Sequence, residues 1–394
     1  MRNRAPDLLK GNLLIVDDKP ANLRLLAAML VEQGYKVRSA INGSLALTAT
    51  QAAPPDMILL DINMPEMNGY EVCERLKADE STRDIPVIFI SALDETHDKV
   101  KAFTVGGVDY IIKPFQLEEV LARVETHLAL RKLQKQLQDA NQRYEKELAL
   151  AAEIQASFLP SAIPAIPGWQ LAATLIPARE TSGDFYDLIP LPDERLGLVV
   201  ADVTDKGSGA ALFMALSRTL LRTYAVEYDM QPELTLGAAH RRILEDTNTK
   251  QFVTVFYGVL DSATGTLTYS NAGHNPPFLF SANGDDALQE LDNTGPPLGL
   301  RVFKDVTWER RTAQIAPGDL LVLYSDGITE AQDDQGEFFD EDRLLEVGRA
   351  SLGRSAQEVQ EAILAEVDRF VGDAPQVDDI TLMVLARRTT GQQC

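Results

Sequence analysis

Short, almost uninterrupted apolar runs at residues 12–16, 57–60, 87–90 and 108–112 alternate with helical patterns in the first third of the chain. Between the first two, Leu23, Leu26, Ala27 and Leu30 recur at helical spacing, and Gly34 follows as a stop. Strands apolar on both faces and separated by helices predict a parallel sheet covered on each side, a doubly wound α/β domain. In such sheets the functional crevice lies beyond the carboxyl ends of the strands. The residues standing there are Asp17 and Asp18, Asp61, Ser91 and Lys113.

From residue 117 to 158 the pattern stays helical, with no Gly or Pro. A seam of Leu130, Leu137, Tyr144, Ala151 and Phe158, with Leu133, Ala140, Glu147 and Ile154 between them, repeats every seven residues. One polar flaw, Glu147, still suits a moderate coiled coil that would pair two copies; one helix packed on its own domain is the alternative. Pro160, Pro164 and Pro167 end it. Beyond them, strand-like stretches at 196–201, 252–260 and 266–271 stand among helical stretches at 210–224 and 356–370. The turn Ser262-Ala263-Thr264-Gly265 makes a hairpin of the last two strands. Antiparallel sheets with helices outside are expected. The predicted division is a domain at 12–127, a helical coiled-coil linker at 128–159, a second domain at 160–388 and a loose tail.

Composition narrows the function classes. A net charge of −22 disfavours nucleic acid and anionic membrane as partners. No apolar run is long enough to span a bilayer, and residues 1–10 lack a secretory core, so a cytoplasmic protein is expected. Two cysteines, Cys73 and Cys394, exclude a disulfide framework and a cysteine zinc site. His97, His127, His240 and His274 lack ligand spacing.

Adjacent aspartates occur at 17–18, 285–286, 333–334 and 378–379, and the middle two pairs read as solvated turns. Asp17-Asp18 differs because a buried strand delivers it to the sheet edge, where Asp61 ends another. Three converging carboxylates repel each other unless they share a cation, and Mg²⁺ suits oxygen ligands. A carboxylate there can attack phosphorus and form an acyl phosphate, with Lys113 and Ser91 placed to receive it. Over about 115 residues this segment resembles the response-regulator receiver family. The resemblance rests on Asp17-Asp18, Asp61 with Met64-Pro65 and Gly69, Ser91, Tyr110 and Lys113-Pro114. It implies that Asp61 is the phosphoacceptor and that the Asn63 carbonyl completes the metal shell. It further implies that Ser91 and Tyr110 respond to phosphorylation, that Lys113-Pro114 is cis, and that a sensor histidine kinase is the partner.

The last segment carries acids in four places: Ser182-Gly183-Asp184-Phe185-Tyr186-Asp187, Asp202-Val203-Thr204-Asp205-Lys206-Gly207, Ser325-Asp326-Gly327 and Val377-Asp378-Asp379. Asp202 and Asp326 follow apolar runs, and a buried strand ending in Asp needs a partner or a metal. With Asn271-Ala272-Gly273-His274-Asn275-Pro276-Pro277, the segment resembles the SpoIIE/RsbU-type serine phosphatases of the metal-dependent PPM (protein phosphatase 2C-like) family. The resemblance implies two Mn²⁺ or Mg²⁺ ions held by Asp184, Asp202, the Val203 carbonyl, Asp326 and Asp378. Those four aspartates would be the catalytic set. Two such ions, about 3.5–4 Å apart, bind and acidify one water and clamp phosphoryl oxygens. Ser182 and Asp205 stand where the family usually has Gly, and Asp379 where it often has Asn, which leaves the choice between Asp378 and Asp379 as the ligand open. His274 reads as a structural loop histidine rather than a general acid.

The resemblance further implies a phosphoserine or phosphothreonine protein substrate, of the anti-sigma-factor-antagonist kind. Phosphorylation of Asp61 would act through the coiled coil and residues 152–160. A non-catalytic adaptor that binds or sequesters a partner is the alternative.

Overall fold

Alternate residues of the first apolar strands face opposite sides of one sheet, and both sides are covered. Leu14, Val16, Ile58, Leu60 and Phe89 pack on one face, and Leu13, Ile15, Leu59, Ile88 and Ile90 on the other. The computed structural model describes residues 10–92, 96–282 and 288–389, the side chains at 96–99 excepted. The His97 ring, the Asp285-Asp286 pair, the first nine residues and the tail from 390 with Cys394 therefore lie outside the described residues. The chain divides into two compact units, Met1–Arg143 and Tyr144–Cys394.

The first unit runs β1 (Asn12–Val16), α1 (Pro20–Glu32), β2 (Lys36–Ala40), α2 (Gly43–Ala52), β3 (Met57–Asp61), α3 (Gly69–Ala78), β4 (Val87–Ser91), α4 (Thr96–Thr104) and β5 (Asp109–Ile112). Its strands are all parallel, in the order β2-β1-β3-β4-β5. The order reverses between β1 and β3, the place where doubly wound sheets open a crevice. Helix α3 starts at a capping box, Asn68 accepting from the Glu71 amide while the Glu71 carboxylate takes the Asn68 amide. Helix α5 (Leu117–Ala156) begins in this unit and continues past Arg143. It is one unbroken helix, and Leu130, Leu133, Leu137, Tyr144 and Ile154 of the heptad seam are all exposed on it.

The second unit contains β6 (Trp169–Ile176), β7 (Phe185–Leu191), β8 (Arg195–Val203), α6 (Ser208–Tyr228), α7 (Pro232–Asp246), β9 (Val253–Asp261) and β10 (Thr266–Ala272). After these come β11 (Phe278–Phe280), β12 (Leu288–Glu290), β13 (Arg311–Gln314), β14 (Leu320–Tyr324), α8 (Asp326–Thr329), α9 (Asp340–Ala350), α10 (Ala356–Val371) and β15 (Ile380–Arg387). Two antiparallel sheets result, ordered β13-β10-β9-β8-β7 and β12-β11-β14-β15-β6. The expected hairpin is β9–β10, with Gly265 closing its turn at φ +78°.

Period-two patterning sets the layers. Leu198 and Val200 of β8 meet Leu321 and Leu323 of β14 between the sheets. The intervening Val199 and Ala201 face outward onto Phe213 and Met214 of α6 and Leu236 of α7. On the far side, Val322 and Tyr324 pack against Leu344 of α9 and Val359 and Ile363 of α10. Each such buried side chain contributes roughly 1.5–3 kcal/mol, so these sheet edges are rigid platforms. The result is the expected architecture of antiparallel sheets flanked by helices.

Candidate functional site

In the first unit the tight turn after β1 brings Asp17 beneath the end of β3. Asp17 and Asp61 are buried, Asp18 is half-buried, and oxygens from all three lie within 4.8 Å of one another. Lys113, just past β5, reaches Asp17 Oδ2 at 2.9 Å and Asp61 Oδ1 at 3.0 Å. Its peptide bond to Pro114 is cis. Burial alone would lower the Lys113 pKa, but its bonds to Asp17 and Asp61 outweigh that and leave it raised. Burial raises Asp61, Lys113 pulls it back, and Asp17 and Asp18 push it up again. The buried Oδ1 of Asp18 has no partner, as expected of an oxygen aimed at a cation. The donor set is hard oxygen, so it fits a Mg²⁺-sized divalent ion. Ser91 ends β4 and is buried; Tyr110 on β5 is half-buried, and the Asn63 side chain is exposed. A Cβ on Gly69 would lie 2.3 Å from the Asp61 carbonyl oxygen, so only glycine lets α3 start this close.

In the second unit the four acidic stretches come to one end of both sheets. Phe185 pairs with Ala201, which sets Asp184 beside Asp202. Tyr324 pairs with Leu382, which brings Asp326 beside the Asp378-Asp379 turn. The two sheet ends are tied together, since Thr381 donates to Asp184 Oδ2 at 2.8 Å. Asp379 accepts from the Ser182 hydroxyl and the Gly183 and Ala178 amides, each at 2.8 Å. With all these donors engaged, Asp379 staples the Asp184 loop, while Asp378 stays half-buried and bonds Lys206 Nζ at 2.9 Å. A Cβ on Gly327 would sit 1.9 Å from the Asp379 carbonyl oxygen, which explains glycine after Asp326.

These acids are held against their charge. Burial and then Asp202 raise Asp184 well above the usual carboxylate range. Asp202 is raised to about 7 by burial and then by Asp326. Burial, followed by Asp378, lifts Asp326 to about 6. Buried carboxylates that destabilise one another are what bound cations relieve, and an all-oxygen set suits Mn²⁺ or Mg²⁺. Asp187, in the same motif as Asp184, faces the other way and pairs with Arg218 and Arg222. His274 is buried, and its Nδ1 lies 2.9 Å from the Thr254 hydroxyl. Burial holds it down to about 4, so it stays neutral.

Two residues at the site had no role of their own in the sequence reading, although one lies within residues 152–160. Gln155, near the end of α5, is buried and grips the Ser182 backbone from both sides. Its Nε2 donates to the Ser182 carbonyl at 2.6 Å and its Oε1 accepts from the Ser182 amide at 2.9 Å. A single polar residue in the largely apolar stretch from Leu148 to Leu159 carries no signal of what its amide will bond. Asn22 is the other: its amide donates to both oxygens of Asp17, at 3.0 and 2.8 Å.

The sequence pattern of the family described as Stage II sporulation protein E (SpoIIE) matches residues 192–388, half of the chain. That of the response regulator receiver domain matches residues 13–125.

The chain belongs to the SpoIIE family and carries a receiver domain.

Protein IcfG of Synechocystis is 34% identical to this SpoIIE-family chain over 267 residues, which is 61% of the chain but only 41% of IcfG. The phosphoserine phosphatase RsbU of Bacillus subtilis is 29% identical over 252 residues, covering 64% of the chain and 73% of RsbU. Among solved structures, the SiaA PP2C domain of Pseudomonas aeruginosa superimposes with a TM-score of 0.53 at 24% identity. It covers 63% of the SpoIIE-family chain and 98% of that domain, a likeness of fold.

Proposed function

We propose that the second unit is a metal-dependent phosphoprotein serine/threonine phosphatase controlled by phosphorylation of Asp61. The observation that carries this reading is that Asp184, Asp202, Asp326 and Asp378 stand at the tied ends of two sheets, near enough that three of them are raised by burial and one another's charge. Asp184, Asp202, the Val203 carbonyl, Asp326 and Asp378 would hold two Mn²⁺ or Mg²⁺ ions. When bound, such ions supply an activated water and draw charge from the phosphoryl oxygens. The protein's own part is to fix the carboxylates: Asp379 anchors the Asp184 loop, Thr381 orients Asp184, and Lys206 balances Asp378.

On the regulatory side, Asp17, Asp18, Asp61 and the Asn63 carbonyl would hold Mg²⁺ while a sensor histidine kinase supplies the phosphoryl group. Ser91, Tyr110 and Lys113 would register its arrival. The working division is receiver 12–127, coiled-coil linker 128–159 and phosphatase 160–388. The exposed seam of α5 supports pairing of two copies through the linker. Gln155 supports coupling, since a shift at the end of α5 would move Ser182 and with it Asp184. A phosphorylated anti-sigma-factor antagonist is the proposed substrate type; the name of the RsbU relative, a phosphoserine phosphatase, supports only the phosphoserine part of that reading.

Release of phosphate from a phosphoserine protein in Mn²⁺ should be abolished by EDTA and reduced by about 10³-fold in Asp202→Ala, in the range seen when a key electrostatic group is removed. If the folded, Mn²⁺-saturated protein releases none, the adaptor reading replaces this one.

A further inference from the structure

Beside the acidic centre lies an apolar cleft of about 320 Å³ that the chemistry above does not use. Two of its walls are continuous with that centre, for Gly327 follows Asp326 and Val377 precedes Asp378. Ile176, Leu364, Val371 and Ala374 are among its other lining residues, with the polar Gln332, Asp368 and Gln376 also on its wall. Ile176 and Val377 are 38% and 49% exposed, so apolar surface is left open to water here. The cleft is held in shape rather than collapsed, because the Gln376 side chain donates to the carbonyls of Ile176 at 2.9 Å and Asp378 at 2.7 Å. Lys206 fixes the same turn through the Val377 carbonyl at 2.8 Å.

We propose that this cleft is a specificity subsite that takes an aliphatic side chain of the phosphoprotein substrate, flanking the phosphorylated residue. The inference rests on the phosphatase reading. A phosphoryl group at Asp326 and Asp378 places the flanking residues of an extended peptide, at about 3.3 Å per residue, over the wall formed by Gly327 and Val377. Burying one leucine or isoleucine there removes apolar surface of both partners from water, whereas a serine gains nothing. The centre itself is built of carboxylates and offers a substrate protein no sequence discrimination. The apolar cleft does.

The test uses three probes on the full chain in Mn²⁺: para-nitrophenyl phosphate, a phosphoserine peptide flanked by leucines, and the same peptide flanked by serines. The wild type should prefer the leucine peptide by about tenfold in kcat/KM, the range of one buried aliphatic group. Ala374→Trp, which fills the cleft, should bring the preference to within about twofold while hydrolysis of the aryl phosphate is unchanged. Val371→Gln, which makes the wall polar, should do the same if the tryptophan variant folds poorly. Equal rates on both peptides, or a preference that survives both substitutions, overturns the subsite. No turnover of the aryl phosphate by the wild type brings down the phosphatase reading, and the subsite with it.

Discussion

Asp205 occupies a left-handed backbone position, φ +69°. That geometry is open to glycine and tolerable to Asn and Asp, but a β-branched side chain clashes with its own backbone. Asp205→Gly should therefore leave stability within about 0.5 kcal/mol, because relief of strain is offset by greater freedom of the unfolded chain. Asp205→Val should lose about 1–2 kcal/mol. Urea midpoints for the two variants check this, and a valine as stable as the wild type would refute it. Asp202 makes a second prediction. Its pKa is raised in the folded protein, so its contribution to stability is fully present below about pH 4 and is lost as pH rises toward 7. Without metal at pH 8, Asp202→Asn should melt higher than the wild type, by about 2–4 °C for each kcal/mol relieved. At pH 4 the gain should vanish. Saturating Mn²⁺ should reverse the order at pH 8, since only the wild type keeps the full set of carboxylates. Thermal melts in EDTA and in Mn²⁺ decide it.

Two elements carry most of the positioning. The turn between α10 and β15 presents Asp378 to Lys206 and turns Asp379 inward, so adjacent identical residues do opposite jobs. The end of α5 acts through Gln155 on Ser182. Gln155→Ala would strand a buried amide and a buried carbonyl, each unsatisfied group costing about 1–3 kcal/mol, and loosen the loop that carries Asp184. Mn²⁺ affinity, measured by calorimetry, should weaken by about tenfold or more. Unchanged affinity would reduce Gln155 to a packing residue. At this scale the strands were the most legible feature. β1, β3, β4 and β5 announce themselves as apolar runs, and β9–β10 by its turn. β2, Lys36-Val37-Arg38-Ser39-Ala40, did not, because it lies at the edge of the sheet and only Ala40 is fully buried.

For the whole molecule, the receiver and the SpoIIE-type unit share one chain and one continuous helix, α5. If that helix transmits the state of Asp61, acetyl phosphate with Mg²⁺ should change phosphatase turnover in the wild type and leave Asp61→Asn unresponsive. Equal responses of the two proteins would separate the receiver from catalysis. Among the described residues no helix is long and apolar enough to cross a membrane.

Sequence alone determined the buried strands that read as continuous apolar runs, β1, β3, β4, β5, β8, β9, β10 and β14, which acids would be carried to strand ends, and that both units are α/β. These follow from local periodicity and from the high cost of burying a carboxylate without a partner. It left Asp378 and Asp379 unresolved, assigned Asp187 no direction and gave Gln155 no role of its own. Each of those depends on what lies opposite in space: three donors around Asp379, two arginines against Asp187, the Ser182 backbone beside Gln155. Asp379 lies about two hundred positions from its donors and meets them only because the ends of the two sheets come together, while the packing of α6 on β7 and of the end of α5 on the Ser182 loop supplies the other two.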